Sequence, residues 1–594
     1  MWWPDRLVLE LLTPLAMWVF VSGLEDLFLD LCYAWCWWRG RFRRKGGGRA
    51  PDRFQRIALL VPCWHEANVI EHMLDDNVAG IDYPNYQIWL GVYPNDPETF
   101  SRVLRAERRH PNVRHVMLPH DGPTTKADCL NHLLAGIFVH EETTNDHFDI
   151  FFQHDAEDRV HPLELRTANR ILQDYGMVQL PVLALETPLR RLTHGVYCDE
   201  FADSHLRELP VRAALGGFVP SAGVGTGLRR ELVLRLREKH GGNVFDRASL
   251  TEDYFLGLQA HELGVAQSFA VERAPNGEFI ATRAYFPMEF MHAIRQRTRW
   301  IIGNSLQSWE KFGWRGSLGQ FYWLWRDRRG LVNHPISLLV NVVFVFGLAR
   351  WASAASAGEP WVLGNEIASR DLLMSLIFAN GSFLVWRQLV RGTISGQVYG
   401  WAHGWTVLLR TVWSNGINGV AVLRALFVYG RARLLGRPLR WAKTVHVYPG
   451  AASAMGPTLP EILIARGWVS QVAVEEALAA GPLGDLGLRL LAQGLITESQ
   501  LYEALAEEHH LPFVKAPAAT IAGADLPPDL LALVRVQACR DEVGRQWLVA
   551  PQPPSLTALF EIPRELLPRL RFAVVTPTSY RRLAGAARAA VRRG

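Results

Sequence analysis

The chain has 594 residues, is 49% hydrophobic and contains 22 tryptophans, so it is long enough for several domains and unusually apolar for a protein that never meets lipid. Its net charge is only +5, and its Lys and Arg gather at the ends of apolar runs, which argues against a partner such as a nucleic-acid polymer. Cys32, Cys36, Cys63, Cys129, Cys198 and Cys539 form no CxxC pair and no regular framework, so reduced thiols are expected.

Residues 7–38 are a long apolar run, followed at once by Arg39, Arg41, Arg43, Arg44 and Lys45. The leading flank is barely basic and no A-x-A site closes the run, so residues 1–45 are expected to form a membrane anchor with a cytoplasmic C-terminal end, not a cleaved signal. Glu25, Asp26 and Asp30 are costly in lipid and are expected to face other helices or the interface.

Residues 50–330 read as a soluble α/β domain. Strands are expected at 57–64 (IALLVPCW), 87–93, 113–119 and 149–155. Helices are expected at 66–78, from Pro97, and from about Lys126. This alternation predicts a Rossmann-like parallel sheet with helices on both faces.

Within 331–445, the apolar segments 333–350 and 371–390 are each long enough to span a membrane. Arg326, Arg328 and Arg329 precede the first, and Arg387 and Arg391 close the second, predicting a hairpin with both ends inside. The run 400–430 is broken by Gly404, Arg410, Asn415, Gly416, Asn418, Gly419 and Arg424, which favours an interfacial or re-entrant helix pair over a further span. A basic stretch, Arg431 to Lys443, is expected to keep the C-terminal part of the chain in the cytoplasm.

From residue 450 to 594 Ala, Leu and Glu dominate, and a repeat begins at Leu459 and again at Leu486, pairing Leu463 with Leu490 and Gly467 with Gly494. Each copy reads as helix, Gly turn, helix, and Thr497 with Gln500 fits a capping box. Strand-like WLVAP (547–551) and FAVVTP (572–577) precede a basic helix, so a small α/β domain is expected.

The chemistry concentrates in 57–300. The stretch DIFFQHDAEDRVHP (149–162) ends an apolar strand in carboxylates, where open α/β sheets bind ligands. An extended backbone would point Asp155 and Glu157 the same way, and two carboxylates plus phosphate oxygens are a usual setting for Mg²⁺ or Mn²⁺. VPCWHE (61–66), with Pro62 and Glu66, ends the first strand, Asp96 ends the second, and Lys126 and Asp128 open a helix. Thr251-Glu252-Asp253 opens another, where the alternative reading is a plain capped helix start. Gln296, Arg299 and Trp300 share one helical face; Trp300 could meet a sugar ring and Arg299 a phosphate, or the helix could lie on the membrane surface. Gly216, Gly217 and the loop PSAGVGTG (220–227) would let backbone approach a ligand.

Together these motifs resemble family-2 glycosyltransferases with a GT-A fold, in the subgroup carrying QxxRW. The resemblance implies that Glu66 and Asp96 lie near the base and ribose of a nucleotide, and that Lys126 and Asp128 help hold it. It further implies that Asp155 and Glu157 bind a metal on the diphosphate, and that Asp253, beside Glu252, is the base. The sequence carries DAE where DxD is usual. Residues 455–590 resemble the MshE-type N-terminal domain, which implies a cyclic di-GMP site through Leu459, Leu463, Gly467, Leu486, Gly487, Leu490 and Gly494. Thr458, Pro460, Gly481, Asp485 and Glu508 depart from that pattern.

The whole resembles the phage-adsorption-type inner-membrane glycosyltransferases, whose glycan serves as a phage receptor. The expected activity is inverting transfer of a sugar, an N-acetylhexosamine by preference, from a UDP-sugar to a growing exopolysaccharide. Membrane lipid, a glycan acceptor and an outer-membrane or periplasmic secretion partner are the expected partners. The alternatives are a glycolipid-forming transferase and a non-catalytic envelope scaffold.

Overall fold

The structure is a computed structural model that describes residues 2–42, 53–436, 439, 459–479, 486–508, 511–519, 536–541, 545–551 and 571–591. Arg43, Arg44, Lys45, most of the basic stretch after Gly436, Thr458, Gly481, Asp485 and the side chain of Glu508 lie outside the described residues. Two compact units divide the chain at Pro449 and Gly450.

In the first unit, fully buried apolar runs form the middle of a seven-stranded sheet in the order β3-β2-β1-β4-β7-β5-β8. These are β1 (Ile57–Pro62), β2 (Tyr86–Val92), β3 (Val113–Met117), β4 (Ile150–Gln153), β5 (Met177–Gln179), β7 (Thr226–Arg229) and β8 (Gln267–Phe269); β6 (Val182–Ala184) pairs separately with β9 (Thr282–Ala284). Strands β1 to β4 are parallel, as the βα alternation predicts, and are joined by helices α2 (Ile70–Gly80), α3 (Pro97–Arg109) and α4 (Lys126–Thr144). The sheet is mixed rather than all parallel, because β7 runs antiparallel to both β4 and β5. The parallel expectation rested on the first four strands, and β7 is too short to reveal its direction from periodicity.

Helices α5 (Glu164–Ile171), α6 (Leu192–Asp203), α7 (Leu209–Ala214), α8 (Arg230–Lys239), α9 (Glu252–Glu262) and α10 (Phe290–Ile301) complete this region, followed by α11 (Ser308–Phe312) and α12 (Leu318–Arg328). The main core is made by α4, α8 and the sheet, with Leu60, Leu130, Leu133, Phe151, Leu228 and Leu236 each almost fully buried.

Among the described residues three helices are long and apolar enough to cross a membrane: α1 (Trp3–Trp38), α13 (Gly330–Ala357) and α15 (Asp371–Tyr399). Between the last two lies α14 (Val362–Ala368), and after them α16 (Trp401–Trp405) and α17 (Val407–Leu434). Helix α17 packs on α6, α10 and α13. It buries Ile417, Ala421 and Val422, and exposes Leu409, Val412, Leu423 and Phe427 on another face. The acids inside α1 have partners. Arg326 meets Glu25 at 2.9 Å, Glu208 at 2.9 Å and Asp26 at 3.3 Å, Arg329 meets Asp26 at 2.7 Å, and Arg207 meets Asp30 at 2.5 Å. Each carboxylate that looks misplaced in an apolar run is thus paired with a cation from the domain that comes after it.

In the second unit, residues 459–465 pack on 498–508, and 471–479 on 486–492. Gly467 and Gly494 adopt φ of +68° and +70° at equivalent turns, where a side chain would be strained. Thr497 and Gln500 form the capping box, with N–H donations of 2.8 and 3.2 Å. Strands β10 (Ala518–Ala519), β11 (Gln537–Arg540), β12 (Gln546–Ala550) and β13 (Phe572–Val574) form a sheet, and the basic helix spans Pro577–Val591. No two of the six cysteines are bonded.

The ion-pair junction sets a stability contrast. Arg326 is 3% exposed at its side chain, whereas the Arg370–Glu10 pair at 3.4 Å is 38% and 75% exposed. Arg326→Ala leaves Glu208 without its cation and removes one of the cations that meet Glu25 and Asp26, and it is expected to cost ~3–5 kcal/mol in thermal unfolding of the detergent-solubilised chain. Arg370→Ala is expected to stay within about 1 kcal/mol of the parent.

Candidate active site

The carboxyl ends of β1 and β4 lie side by side, with Leu60 opposite Gln153, so the backbone leaving each strand enters one crevice. After β4 the chain turns rather than continuing extended. Asp155 N–H donates to Asp158 Oδ2 at 2.8 Å, and Asp158 N–H donates back to Asp155 O at 3.2 Å. Asp155 and Glu157 therefore border the same cavity through a turn, not through strand alternation. Behind the turn, His154 Nδ1 lies 3.2 Å from Asp158 and its Nε2 3.5 Å from Glu164. Burial lowers the proton affinity of His154 and raises that of Glu164.

Lys126 enters from the first turn of α4, whose Thr125 cap accepts Asp128 N–H at 3.2 Å. Its Nζ is 2.5 Å from Asp155 Oδ1 and donates to Gly223 O at 3.1 Å. Gly223 arrives because β7 is antiparallel: Thr226 sits opposite Gln153, so the loop before β7 crosses the ends of β1 and β4. Buried Gln179 braces that loop, accepting from Ala222 N–H at 2.9 Å and Thr226 Oγ1 at 2.6 Å and donating to Val224 O at 2.8 Å. Gly223 has φ +76°, and a Cβ there would lie 2.8 Å from Asp253 Oδ2 and 3.3 Å from Lys126 Nζ, so a side chain would intrude on both groups.

Glu252 and Asp253 open α9, with Thr251 at the cap position. The Thr251 side chain makes no cap bond and packs instead on Gly303, where a Cβ would come within 2.1 Å of its Oγ1. That contact joins the start of α9 to the turn just beyond α10. Burial, then the charge of Asp253, pushes Glu252 up to about 7, against the pull of Lys126 and Arg299. Burial also raises Asp253, opposed first by Lys126. For Lys126 itself burial opposes the charge, but Asp155 and then Glu252 outweigh it and raise its proton affinity.

A cavity of ≈ 400 Å³ brings together Pro62, Glu66, Lys126, Asp155, Glu157, Glu252, Asp253, Gln296, Arg299 and Trp300. Gln296 Oε1 is buried and accepts no hydrogen bond from the described residues. Trp300 packs edge-on against Tyr197 at 6.1 Å and against Phe286 at 6.5 Å, so an aromatic cluster fixes its face to the cavity. Arg297, between the motif residues, points away, 2.5 Å from Glu200 and 2.6 Å from Asn418 Oδ1 on α17.

Asp96 and Asp128 do not line this cavity. Asp96 caps α3, accepting Thr99 N–H at 3.4 Å and His65 N–H at 2.6 Å, so it shapes the turn that presents Glu66. Asp128 faces His120, His132 and Arg247. Sequence reasoning missed Trp64, which lines the cavity, and the supporting Gln179, His154, Glu164 and Glu200. A lone Trp or Gln in a sequence carries no spacing that marks it. In the second unit Leu463, Leu486 and Leu490 are fully buried in the core between the repeats, and a Cβ on Gly487 would strike Leu501. These residues hold the helices together and present no side-chain surface to a ligand.

Residues 55–303 match the family described as glycosyltransferase like family 2. With the GT-A-like mixed sheet and three candidate membrane helices, the protein is a glycosyltransferase. The chain belongs to the family of bacteriophage adsorption protein B. It is 36% identical to that protein of Escherichia coli (strain K12) over 528 residues, covering 83% of this chain and 70% of the other. The bacteriophage N4 adsorption protein B of Escherichia coli O157:H7 matches with the same identity and coverage. Among solved structures, a mannosyltransferase from Pyrobaculum calidifontis in complex with GDP-Man and Mn²⁺ is 18% identical at a TM-score of 0.38, covering 63% of this chain and 96% of that one. Glucosyl-3-phosphoglycerate synthase from Mycobacterium tuberculosis with Mn²⁺, UDP and glucosyl-3-phosphoglycerate is 17% identical at 0.21, covering 32% and 64%.

The raised Glu252 makes a signed prediction. A folded-state value above the ordinary 4.5 means that its contribution to stability is intact below about pH 4.5 and is lost as pH rises through about 7. Glu252→Gln removes that loss. The variant should match the parent near pH 4.5 and exceed it by about 1–3 kcal/mol near pH 8 in denaturant unfolding.

Proposed function

We propose that the cavity transfers a sugar, with inversion, from a UDP-sugar to the hydroxyl of a growing surface polysaccharide. The observation that carries the reading is the Lys126–Asp155 pair beside Asp253 in one cavity that Gln296, Arg299 and Trp300 also line. Pro62 and Glu66 border the nucleotide end, and Asp96 acts on it by fixing their turn. Lys126 and Arg299 supply positive charge where the leaving diphosphate gains negative charge. Asp155 and Glu157 are hard oxygen donors on one turn, and they fit Mg²⁺ or Mn²⁺. Such an ion, when bound, would neutralise charge on the diphosphate. Trp300 offers the acceptor sugar an aromatic face.

Asp253 takes the proton from the acceptor hydroxyl as its oxygen bonds to the anomeric carbon and the bond to the diphosphate oxygen breaks. Burial strengthens Asp253 as a base, opposed first by Lys126, and burial with the charge of Asp253 pushes the neighbouring Glu252 up to about 7. The donor sugar is an N-acetylhexosamine by preference. The three apolar helices support a multi-pass chain in the bacterial inner membrane, with the catalytic domain and residues 450–594 on the cytoplasmic side. Export of the polymer then requires a secretion partner.

The 450–594 unit is the seat of regulation by cyclic di-GMP. Since Leu463, Leu486 and Leu490 are core residues, recognition falls to polar groups displayed by the paired repeats.

The test is UDP release by the full chain in detergent across a panel of UDP-sugars with Mg²⁺ or Mn²⁺, with and without cyclic di-GMP. Release with one sugar, raised by the dinucleotide, is the expected result. Asp253→Asn should lower turnover by at least about a thousandfold while UDP affinity stays within about threefold. A fully active Asp253→Asn chain would remove Asp253 as the base. Release that ignores cyclic di-GMP would separate residues 450–594 from the regulation proposed for them.

A further inference from the structure

Asp128 is 5% exposed, yet it belongs to no part of the sugar-transfer cavity. One turn along α4, at i+4, His132 places Nε2 3.7 Å from Asp128 Oδ1. The loop after β3 brings His120 Nε2 to 3.2 Å from Asp128 Oδ2. The two imidazoles stand 5.1 Å apart at 77°, and one nitrogen or oxygen from each of the three residues lies within 4.8 Å of the others. Asp128 Oδ2 is buried and accepts no hydrogen bond from the described residues, while Arg247 Nε holds Oδ1 at 2.9 Å.

We propose that His120, Asp128 and His132 form a second metal site, separate from the sugar-transfer cavity, that takes a transition-metal ion of the Zn²⁺ class. Two imidazoles and one carboxylate are the donor set such ions favour over Mg²⁺, which prefers oxygen alone. Around a tetrahedral Zn²⁺ with bonds of about 2.0–2.1 Å, neighbouring donor atoms sit roughly 3.3 Å apart. The His120–Asp128 spacing already matches, and the remaining closure needs only side-chain rotation of the half-buried His132. Arg247, bound to the other carboxylate oxygen, orients Asp128 as outer-shell partners of metal ligands do. His120 is 41% exposed at its side chain, so water can fill the remaining coordination position and screen the two positive charges.

The site has a structural consequence. His120 lies in the loop that carries Thr124 and Thr125 to the cavity wall, and Arg247 lies in the segment that leads to Thr251 and Asp253. A metal on α4 therefore ties together the loops that deliver Lys126 and Asp253. The role is positioning, not catalysis.

The test uses the tag-free full chain in detergent, stripped with chelator and titrated with Co²⁺ and then Zn²⁺. The expected result is a saturable visible d–d spectrum of a nitrogen-containing site, displaced by Zn²⁺, with metal content near one ion per chain. His120→Asn and His132→Asn, both at solvent-accessible positions, should each weaken Zn²⁺ binding by at least about tenfold. Asp155→Asn should leave the spectrum unchanged. Absence of any saturable Co²⁺ spectrum would overturn the proposal. So would a spectrum that survives both histidine substitutions, and one lost in Asp155→Asn would assign the ion to the sugar-transfer cavity instead.

Discussion

The site depends on one buried cation. Seven carboxylates, those of Glu66, Asp155, Glu157, Asp158, Glu252, Asp253 and Glu289, line one cavity, and gathering that much like charge is costly without compensation. Lys126 answers it from the first turn of α4, between Asp155 and the carbonyl of Gly223. Its charge opposes the rise in proton affinity that burial gives Glu252 and Asp253, while its ammonium pairs with Asp155.

The same balance of charge joins the glycosyltransferase domain to the apolar helices α1 and α15. Arg207, Arg326 and Arg329 extend from the domain side to Asp30, Glu25 and Asp26 on α1, and Arg387 on α15 meets Asp203 at the end of α6. On the far side of the QxxRW helix, Glu200 receives Arg297 from α10 and Ser414 and Asn418 from α17. Asp199 likewise holds Arg410 at 2.6 Å and His403 at 3.1 Å. Helix α10, which lines the cavity through Gln296, Arg299 and Trp300, is therefore fastened to α17 by buried polar contacts, and a shift of α17 would be felt at those three residues. Buried networks of this kind favour one arrangement over its neighbours because a half-made network leaves charges unpaired.

The sequence by itself determined the four parallel strands, their helices, the three long apolar helices and the paired repeats, because each is written as a local period: continuous apolar runs, amphipathic spacing, or a Gly turn recurring at a fixed interval. It also named ten of the residues that line the cavity, since strand ends deliver the residues after them to one edge of a sheet. What only the tertiary structure decided is non-local. The antiparallel entry of β7 brings Gly223 to Lys126, and the turn at Ala156–Glu157 replaces the expected extension. Asp96 becomes a helix cap and Asp128 faces two histidines instead of the cavity, although each stands at a position the motif pattern marks. Leu463, Leu486 and Leu490 turn inward between the repeats. In each case the backbone position comes from local sequence, but the direction of the side chain depends on a partner far along the chain, which no local period records.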